Sequence, residues 1–161
     1  MARFAEGTKV PVETTRMELE RVLRTYGADA VVIGWDGPTS TVAFRLHGRH
    51  VKYTVERPMR SDPSVSSYPS GKPRPARAIP EAIEPEHRRR WRALLLIVKA
   101  KLELVAGGDS DFADEFLSRV MLPDGTTVRE WMGPQIDQAY TTGQMPSLMP
   151  GASAALPSGR R

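Results

Sequence analysis

The stretch HRRRWR holds four arginines and is the densest positive charge in the chain, and Arg88, Arg90 and Arg92 are its candidate binding residues. Guanidinium groups bind phosphates and carboxylates through paired N–H donors. The apolar periodicity that follows predicts a helix from Pro85 to Val105, so the arginines would lie at its N-terminus. Backbone N–H groups there attract anions, whereas a purely structural helix favours acids at this end. The pattern predicts an anion-binding site, and the alternative is a core helix with solvated basic edges.

A second basic surface is predicted on one face of a small sheet. The segments TVAFRLH and HVKYTVE alternate apolar and polar side chains, which places one row in the core and the other in solvent. The solvent row and its hairpin carry five basic residues: Arg45, His47, Arg49, His50 and Lys52. Basic side chains on an open sheet face can track phosphates, and the alternative is an ordinary solvated face. Phe44 and Tyr53 point inward, which argues against base stacking on this sheet.

Residues suited to metal or catalytic chemistry are few. The histidines at 47, 50 and 87 do not have the spacing of a metal site. One acidic cluster consists of Asp109, Asp111, Asp114 and Glu115. It either holds a divalent cation or caps the helix that follows. The chain has no cysteine, no phosphate-binding loop, no nucleophile elbow and no zinc-protease motif. The sequence therefore predicts a non-enzymatic protein without a metal or a cofactor.

The composition is typical of one compact domain with tails. Of 161 residues, 40% are hydrophobic and 26% are charged, and the formal net charge is +4, which favours anionic partners only mildly. No apolar run approaches the roughly 20 residues that span a bilayer. The first ten residues, MARFAEGTKV, lack the apolar core of a signal peptide. We expect a cytoplasmic protein that does not enter a membrane.

The order of the periodic segments predicts an α+β fold: a helix, a three-stranded antiparallel β-meander, a long central helix and C-terminal helices. Residues 1–57 hold the first helix and the meander, and residues 85–148 hold the C-terminal helices that complete the same domain. Residues 58–84 contain six prolines among serines and basic residues, which predicts a linker or mobile loop that contributes little to folding. Residues 149–161 are predicted to be a flexible tail.

Local signals place the ends of several elements. Thr15 and Glu18 have capping-box spacing, and so do Thr127 and Glu130. Gly48–Arg49 is the expected two-residue hairpin turn. The pair of glycines at 107 and 108 is expected to end the central helix.

The central helix is apolar on two sides. One stripe holds Trp91, Leu94, Leu95, Val98, Leu102 and Val105. A second strip, nearly opposite, holds Ala93, Ile97, Ala100 and Leu104. Such a helix is expected between the sheet and the C-terminal helices, with Trp91 and Trp131 as core anchors.

Five segments resemble, in this order, a group of uncharacterised proteins of tailed phages and prophages: FAEGT, YGAD, WRALLLIVKAKLE, DEFLSRVMLPDG and VREWMGPQI. The resemblance covers most of the chain outside the proline-rich segment and the tail. It implies an accessory protein expressed in the bacterial host cytoplasm, and it assigns no activity. Small proteins of this kind commonly serve DNA metabolism or counter host defence.

Two functions follow as alternatives. The first is non-enzymatic binding of nucleic acid through Arg88, Arg90, Arg92 and the basic sheet face, with a steep salt dependence. The second is an interaction protein that antagonises a host defence component or sequesters a small anionic nucleotide signal. Its partner would be a host or phage protein or a small ligand, and the chain could form a homo-oligomer.

Overall fold

A computed structural model of the protein describes residues 4–145. In that range the chain forms five α-helices and one sheet, and the predicted α+β class is confirmed. The helices are α1 (Val12–Thr25), α2 (Pro63–Ser66), α3 (Ile79–Gly107), α4 (Phe112–Phe116) and α5 (Val128–Thr142). The strands are β1 (Ala30–Asp36), β2 (Thr39–Leu46) and β3 (Arg49–Glu56), with 3₁₀ turns at Ala76–Ala78 and Leu117–Arg119. The predicted tail at 149–161 lies outside the described residues.

The three strands form an antiparallel meander in the order β1–β2–β3, as predicted. Buried and more exposed residues alternate along β2 and β3, because successive side chains point to opposite faces. The β2–β3 turn is His47–Gly48 and not Gly48–Arg49, since Leu46 pairs with Arg49. Both turn residues have positive φ, 50° and 70°, the conformation that matches the twist of the flanking strands.

α1 and α3 cover the inner face of the sheet and pack against each other. The stripes of the two helices and the inner rows of the strands meet in one core. Its largest fully buried side chains include Trp91, Phe116 and Leu19. Phe116 of α4 extends this core, with its ring edge-on to Phe44 at 6.1 Å between centroids. The prediction of Trp91 as a core anchor is confirmed.

α3 begins at Ile79, six residues before the predicted start. Pro80 lies in its first turn, where the missing N–H has no helical partner to lose. The arginines at 88, 90 and 92 therefore lie in the third and fourth turns, and the prediction that they occupy a helix N-terminus is wrong. The first turn carries Glu81, the type of residue that favours this end. The helix ends as predicted, at Gly108 with φ 77°.

The two predicted capping boxes have different outcomes. Thr15 lies inside α1, and its hydroxyl donates to the carbonyl of Pro11, so the prediction of a cap there is wrong. Thr127 does cap α5. Its hydroxyl accepts from the backbone N–H of Glu130, whose carboxylate accepts from the backbone N–H of Thr127. This second capping box is confirmed.

The proline-rich segment is folded against α3, contrary to the prediction of a linker at 58–84. α2 packs on α3, and the side chain of Val65 is completely buried. Asp62 accepts a hydrogen bond from Arg90 at 2.8 Å. Residues 79–84 are the first turns of α3. The segment therefore supplies a core side chain and an ion-pair partner, so it contributes to folding.

The C-terminal helices leave the second apolar strip of α3 uncovered within the described residues, contrary to prediction. Ile97 and Leu104 on this strip are 45% and 41% exposed. α5 packs instead against the turn Leu117–Arg119. Trp131 on α5 is 49% exposed, so the prediction of a core anchor there is wrong.

Candidate anion-binding site

Two of the predicted arginines are built into internal ion pairs. Arg90 donates to Asp62 at 2.8 Å and to the backbone carbonyl of Glu56 at 2.9 Å. Arg92 pairs with Glu18 on α1. These contacts join α3 to α1 and to the part of the chain that precedes α3. A guanidinium held in this way keeps little capacity for an external phosphate.

Of the two neighbouring arginines, Arg89 is paired within the fold and Arg88 is not. Arg89 holds the buried carboxylate of Glu86 through two hydrogen bonds of 2.9 Å. Arg88 has no ion pair with a described residue, and its Nε is buried without a hydrogen-bond partner. Arg89 and Arg90 therefore belong to a structural network around Glu86, and of the four arginines only Arg88 has no carboxylate partner among the described residues.

The basic sheet face is partly neutralised as well. Arg45 pairs with Asp29 at 2.7 Å, and the guanidinium holds the pKa of that carboxyl below its usual value. Lys52 donates to the backbone carbonyl of Gly125 at 3.2 Å and lies 3.7 Å from the carboxylate of Glu130. The contact of Lys52 fixes the start of α5 beside the sheet.

Three basic residues of this face, His47, Arg49 and His50, have no carboxylate partner among residues 4–145. His47 sits in the β2–β3 turn, with its ring edge-on to Phe112 at 5.4 Å between centroids. Arg49 is exposed at the start of β3. None of the three belongs to the network around Glu86, so the structure does not gather the predicted basic residues into one site.

The acidic cluster has a structural role in this part of the chain. Asp111 caps α4 by accepting from the backbone N–H of Asp114 at 2.9 Å. Glu115 pairs with Lys101 at 3.1 Å, and hydrogen bonds from Ser110 and Lys101 hold the pKa of its carboxyl below the usual value. Across residues 4–145 no three histidine, aspartate or glutamate side chains converge as metal ligands.

A cavity of about 250 Å³ lies where α1, the β1–β2 turn and α3 meet. Its lining includes Glu13 and six further polar or aromatic residues: Arg16, Trp35, Ser40, Arg57, Glu84 and His87. They come from four separate stretches of the chain, and only folding brings these stretches together. None of the six was predicted as a site residue.

Arg16 is the positive centre of this cavity. Its guanidinium lies over the ring of Trp91, with Cζ 4.5 Å from the ring centroid. Nη2 donates to the buried hydroxyl of Ser40 at 3.2 Å, while Nε is buried without a hydrogen-bond partner. No carboxylate of residues 4–145 lies within ion-pair distance of it. A half-buried charge without a counter-ion is unfavourable to the folded state, which an anion in the cavity would relieve.

His87 supplies a second donor. Its side chain is buried, and Nε2 accepts a hydrogen bond from the indole Nε1 of Trp91 at 3.1 Å. An accepting Nε2 requires the neutral imidazole with its proton on Nδ1. Burial favours the same state, because it lowers the pKa of His87 below the ordinary value of 6.5. The Nδ1–H group has no partner among the described residues, so His87 can donate to a ligand in the cavity.

The mouth of the cavity combines an aromatic wall with a loose ion pair. Trp35 is 73% exposed, with its ring centroid 6.0 Å from Cζ of Arg16. Nη2 of Arg57 lies 3.9 Å from Oε2 of Glu84, and both side chains are exposed. Exposed pairs of this kind are weak, so an anion can compete for Arg57. Glu13, also in the lining, disfavours a ligand with high negative charge. The arrangement suits a small anion that carries a flat ring.

The state of His87 makes folding stability depend on pH. Its folded pKa lies below the unfolded value of 6.5, so the unfolded chain binds the proton more readily. The contribution of His87 to the free energy of unfolding should therefore be constant above about pH 7. It should fall as the pH drops below 6.5. Urea unfolding at intervals from pH 7.5 to pH 5 measures the slope. His87→Gln keeps an acceptor for Trp91 and should flatten the slope, and an unchanged slope would contradict this assignment.

The signal for Arg16 was present in the sequence but weak. Val12, Thr15, Leu19 and Leu23 form the buried stripe of α1. Arg16 lies beside this stripe, three residues before Leu19, and a basic residue next to a core stripe is a candidate for function. His87 and Trp91 have the i, i+4 spacing of facing helical residues, a second local sign. No local pattern connects Arg16 with His87, which are 71 residues apart in the chain.

No protein-family model, no curated protein and no solved structure matches this chain. The relationship to phage proteins stays a prediction from the five sequence segments. The part of the chain that the structure describes contains no helix both long and apolar enough to cross a membrane.

Proposed function

We propose that the protein is a non-enzymatic binder of a small anionic ligand with a planar ring, such as a mononucleotide. The observation that carries the proposal is Arg16, a half-buried guanidinium without a carboxylate partner in the described chain. Arg16 and His87 would donate to the phosphate, since charge-assisted hydrogen bonds are the strong ones in such sites. Trp35 would stack on the base, an interaction of about 1–3 kcal/mol in single-strand binding proteins.

Binding to long nucleic acid is the competing function, and four of the basic residues predicted for it are paired within the fold. Arg90, Arg92, Arg45 and Lys52 each have a carboxylate partner. Tracking a polymer needs several free cations along one path, and affinity then falls steeply with salt. A small ligand needs only the donors of one cavity, so a shallow salt dependence would favour the cavity.

Arg16→Met should weaken ligand binding at least tenfold without unfolding the protein. The loss of a charge-assisted contact costs about 1.5–3 kcal/mol, which is at least tenfold in affinity. The free energy of unfolding should stay within about 1 kcal/mol of the wild type, because replacing a buried charge by an apolar side chain is often neutral or stabilising. Isothermal titration with adenosine monophosphate, guanosine monophosphate and inorganic phosphate measures the affinity, and urea unfolding measures the stability.

Arg21→Met is the matched control, since Arg21 lies on the exposed side of the same helix. It makes the same change of charge and should leave binding unaltered. A nucleotide that binds more tightly than inorganic phosphate would support a role for Trp35. The proposal fails if none of the three probes binds at about 1 mM, or if both arginine variants bind like the wild type. Binding of duplex DNA with a steep salt slope in its place would favour the competing function.

A further inference from the structure

A groove separate from the Arg16 cavity lies between β3, α3 and the turn Leu117–Arg119. It has a volume of about 460 Å³ and shares no lining residue with that cavity. One residue of its lining, Tyr53, carries a buried polar group that has no hydrogen-bond partner in the described residues. Such groups are rare in folded proteins and call for an explanation. The rest of the groove favours a ligand as that explanation.

Tyr53 supplies a hydroxyl group that the fold does not satisfy. The residue is only 7% exposed, and its hydroxyl oxygen is buried without a partner among residues 4–145. Burial raises the pKa of Tyr53 above the ordinary value of 10.0, so the hydroxyl keeps its proton at neutral pH and can donate. A buried hydroxyl without a partner is unfavourable to the folded state, and an acceptor in the groove would remove that cost.

Arg119 is a cation without a counter-ion on the same side of the groove. Its Cζ lies 5.1 Å from the centroid of the Tyr53 ring, and the residue is exposed. No carboxylate of the described residues lies within ion-pair distance of it. The other cations of the lining, Arg89, Arg90 and Lys101, are each paired with a carboxylate of the fold. Arg119 is therefore the lining cation that is left for a ligand in the described chain.

The two unsatisfied donors lie toward one end of the groove. At the other end Arg90 donates to the backbone carbonyl of Glu56 at 2.9 Å. Tyr53 precedes Glu56 by three residues on β3, and the negative charge of Glu115 is close enough to raise its pKa further. Glu115 pairs with Lys101 at 3.1 Å. The hydroxyl therefore lies toward the Lys101 end of the groove.

Aliphatic side chains line the groove between its two ends: Val55, Ala93, Leu94 and Ile97. From Lys101 back to Ala93, α3 makes eight residue steps, which is about 12 Å of helix. A ligand chain on these side chains would be removed from water, which is favourable in proportion to the apolar area buried. The groove therefore suits a short aliphatic chain that ends in an anionic group.

We propose that this groove binds a medium-chain aliphatic carboxylate, with its head group at Tyr53 and Arg119 and its chain along the aliphatic lining. A carboxylate accepts hydrogen bonds from both a guanidinium and a hydroxyl, and such charge-assisted bonds are strong. Glu56 and Glu115 also line the groove, so a second negative charge on the ligand would be repelled. The proposal does not depend on a ligand in the Arg16 cavity.

Isothermal titration of the full chain with octanoate tests the site. Arg119→Gln should weaken octanoate binding by about tenfold or more, because a charge-assisted hydrogen bond is lost. Arg129→Gln makes the same change of charge at an exposed residue outside the groove, and it should bind like the wild type. Acetate lacks the chain and 1-octanol lacks the charge, so both should bind more weakly than octanoate.

Three results of this titration would overturn the proposal. The first is a wild-type protein that does not bind octanoate at about 1 mM. The second is binding of 1-octanol or acetate as tight as that of octanoate. The third is an equal effect of the two arginine substitutions, which would show that only the net charge matters.

Tyr53→Phe separates a role in binding from a role in folding, because it removes only the hydroxyl. Without ligand the variant should be as stable in urea as the wild type or more stable, since no hydrogen bond of the fold is lost. Its affinity for octanoate should fall by about tenfold. A less stable variant would show that the hydroxyl is satisfied within the fold, and unchanged affinity would show that it does not contact the ligand. Either result would contradict the proposed site.

Discussion

Glu86→Ala should lower the free energy of unfolding by about 3 kcal/mol, since it removes one partner from a buried ion pair. The carboxylate of Glu86 is buried and holds Arg89 through two hydrogen bonds of 2.9 Å, with Arg90 at 3.4 Å. Without it, two guanidinium groups that are three-quarters buried or more lose a counter-ion. Urea unfolding followed by circular dichroism measures the change, provided that the denaturant slope is the same for both proteins.

Glu84→Ala is the matched control on the same helix. Glu84 is exposed and pairs only loosely with Arg57 at 3.9 Å, so its removal should cost about 0.5 kcal/mol or less. Equal losses for the two glutamates would show that the arginines at 89 and 90 do not depend on Glu86. They would then be solvated residues available to an external anion, and the nucleic-acid alternative would gain support.

Leu95→Ala should lower the free energy of unfolding by about 2–5 kcal/mol, through lost burial and the cavity that remains. Leu95 is fully buried in the stripe of α3 that faces the sheet and α1. Leu117→Ala makes the same truncation at a residue that is 54% exposed, and we expect it to cost less than about 1 kcal/mol. The difference between the two midpoints in urea tests the orientation of the core, and similar losses would contradict it.

The sequence predicted the elements whose pattern is local. Alternation placed Phe44 and Tyr53 inside the sheet, and the 3.6-residue period placed Trp91 and Leu95 inside α3, because one face of each element has to be buried. The predicted start of α3 is wrong because the prolines of residues 58–84 indicate a linker in the sequence, although a proline fits the first turn of a helix. Pro80 occupies that turn, and Pro85 is accommodated further along.

The site could not be predicted in the same way, since it depends on contacts between distant residues. Arg92 pairs with Glu18, which lies 74 residues earlier in the chain, and Arg90 pairs with Asp62, which lies 28 residues earlier. Composition shows that the basic residues exist but not which carboxylate neutralises each of them. Arg16 was overlooked for the converse reason: an ordinary helical arginine in the sequence becomes a charge without a counter-ion only when α1 packs on Trp91.

The most direct test of the Arg16 cavity is a two-dimensional proton–nitrogen spectrum of the histidine rings, recorded while adenosine monophosphate is added. The chain has only three histidines, and spectra of His87→Gln identify the ring at the cavity. In the free protein His87 should be neutral and carry its proton on Nδ1, because Nε2 accepts from Trp91. The account predicts that the nucleotide shifts the Nδ1 signal of His87 in the wild type and not in Arg16→Met. A proton on Nε2 in the free protein, or a His87 signal that the nucleotide leaves unchanged, would contradict it.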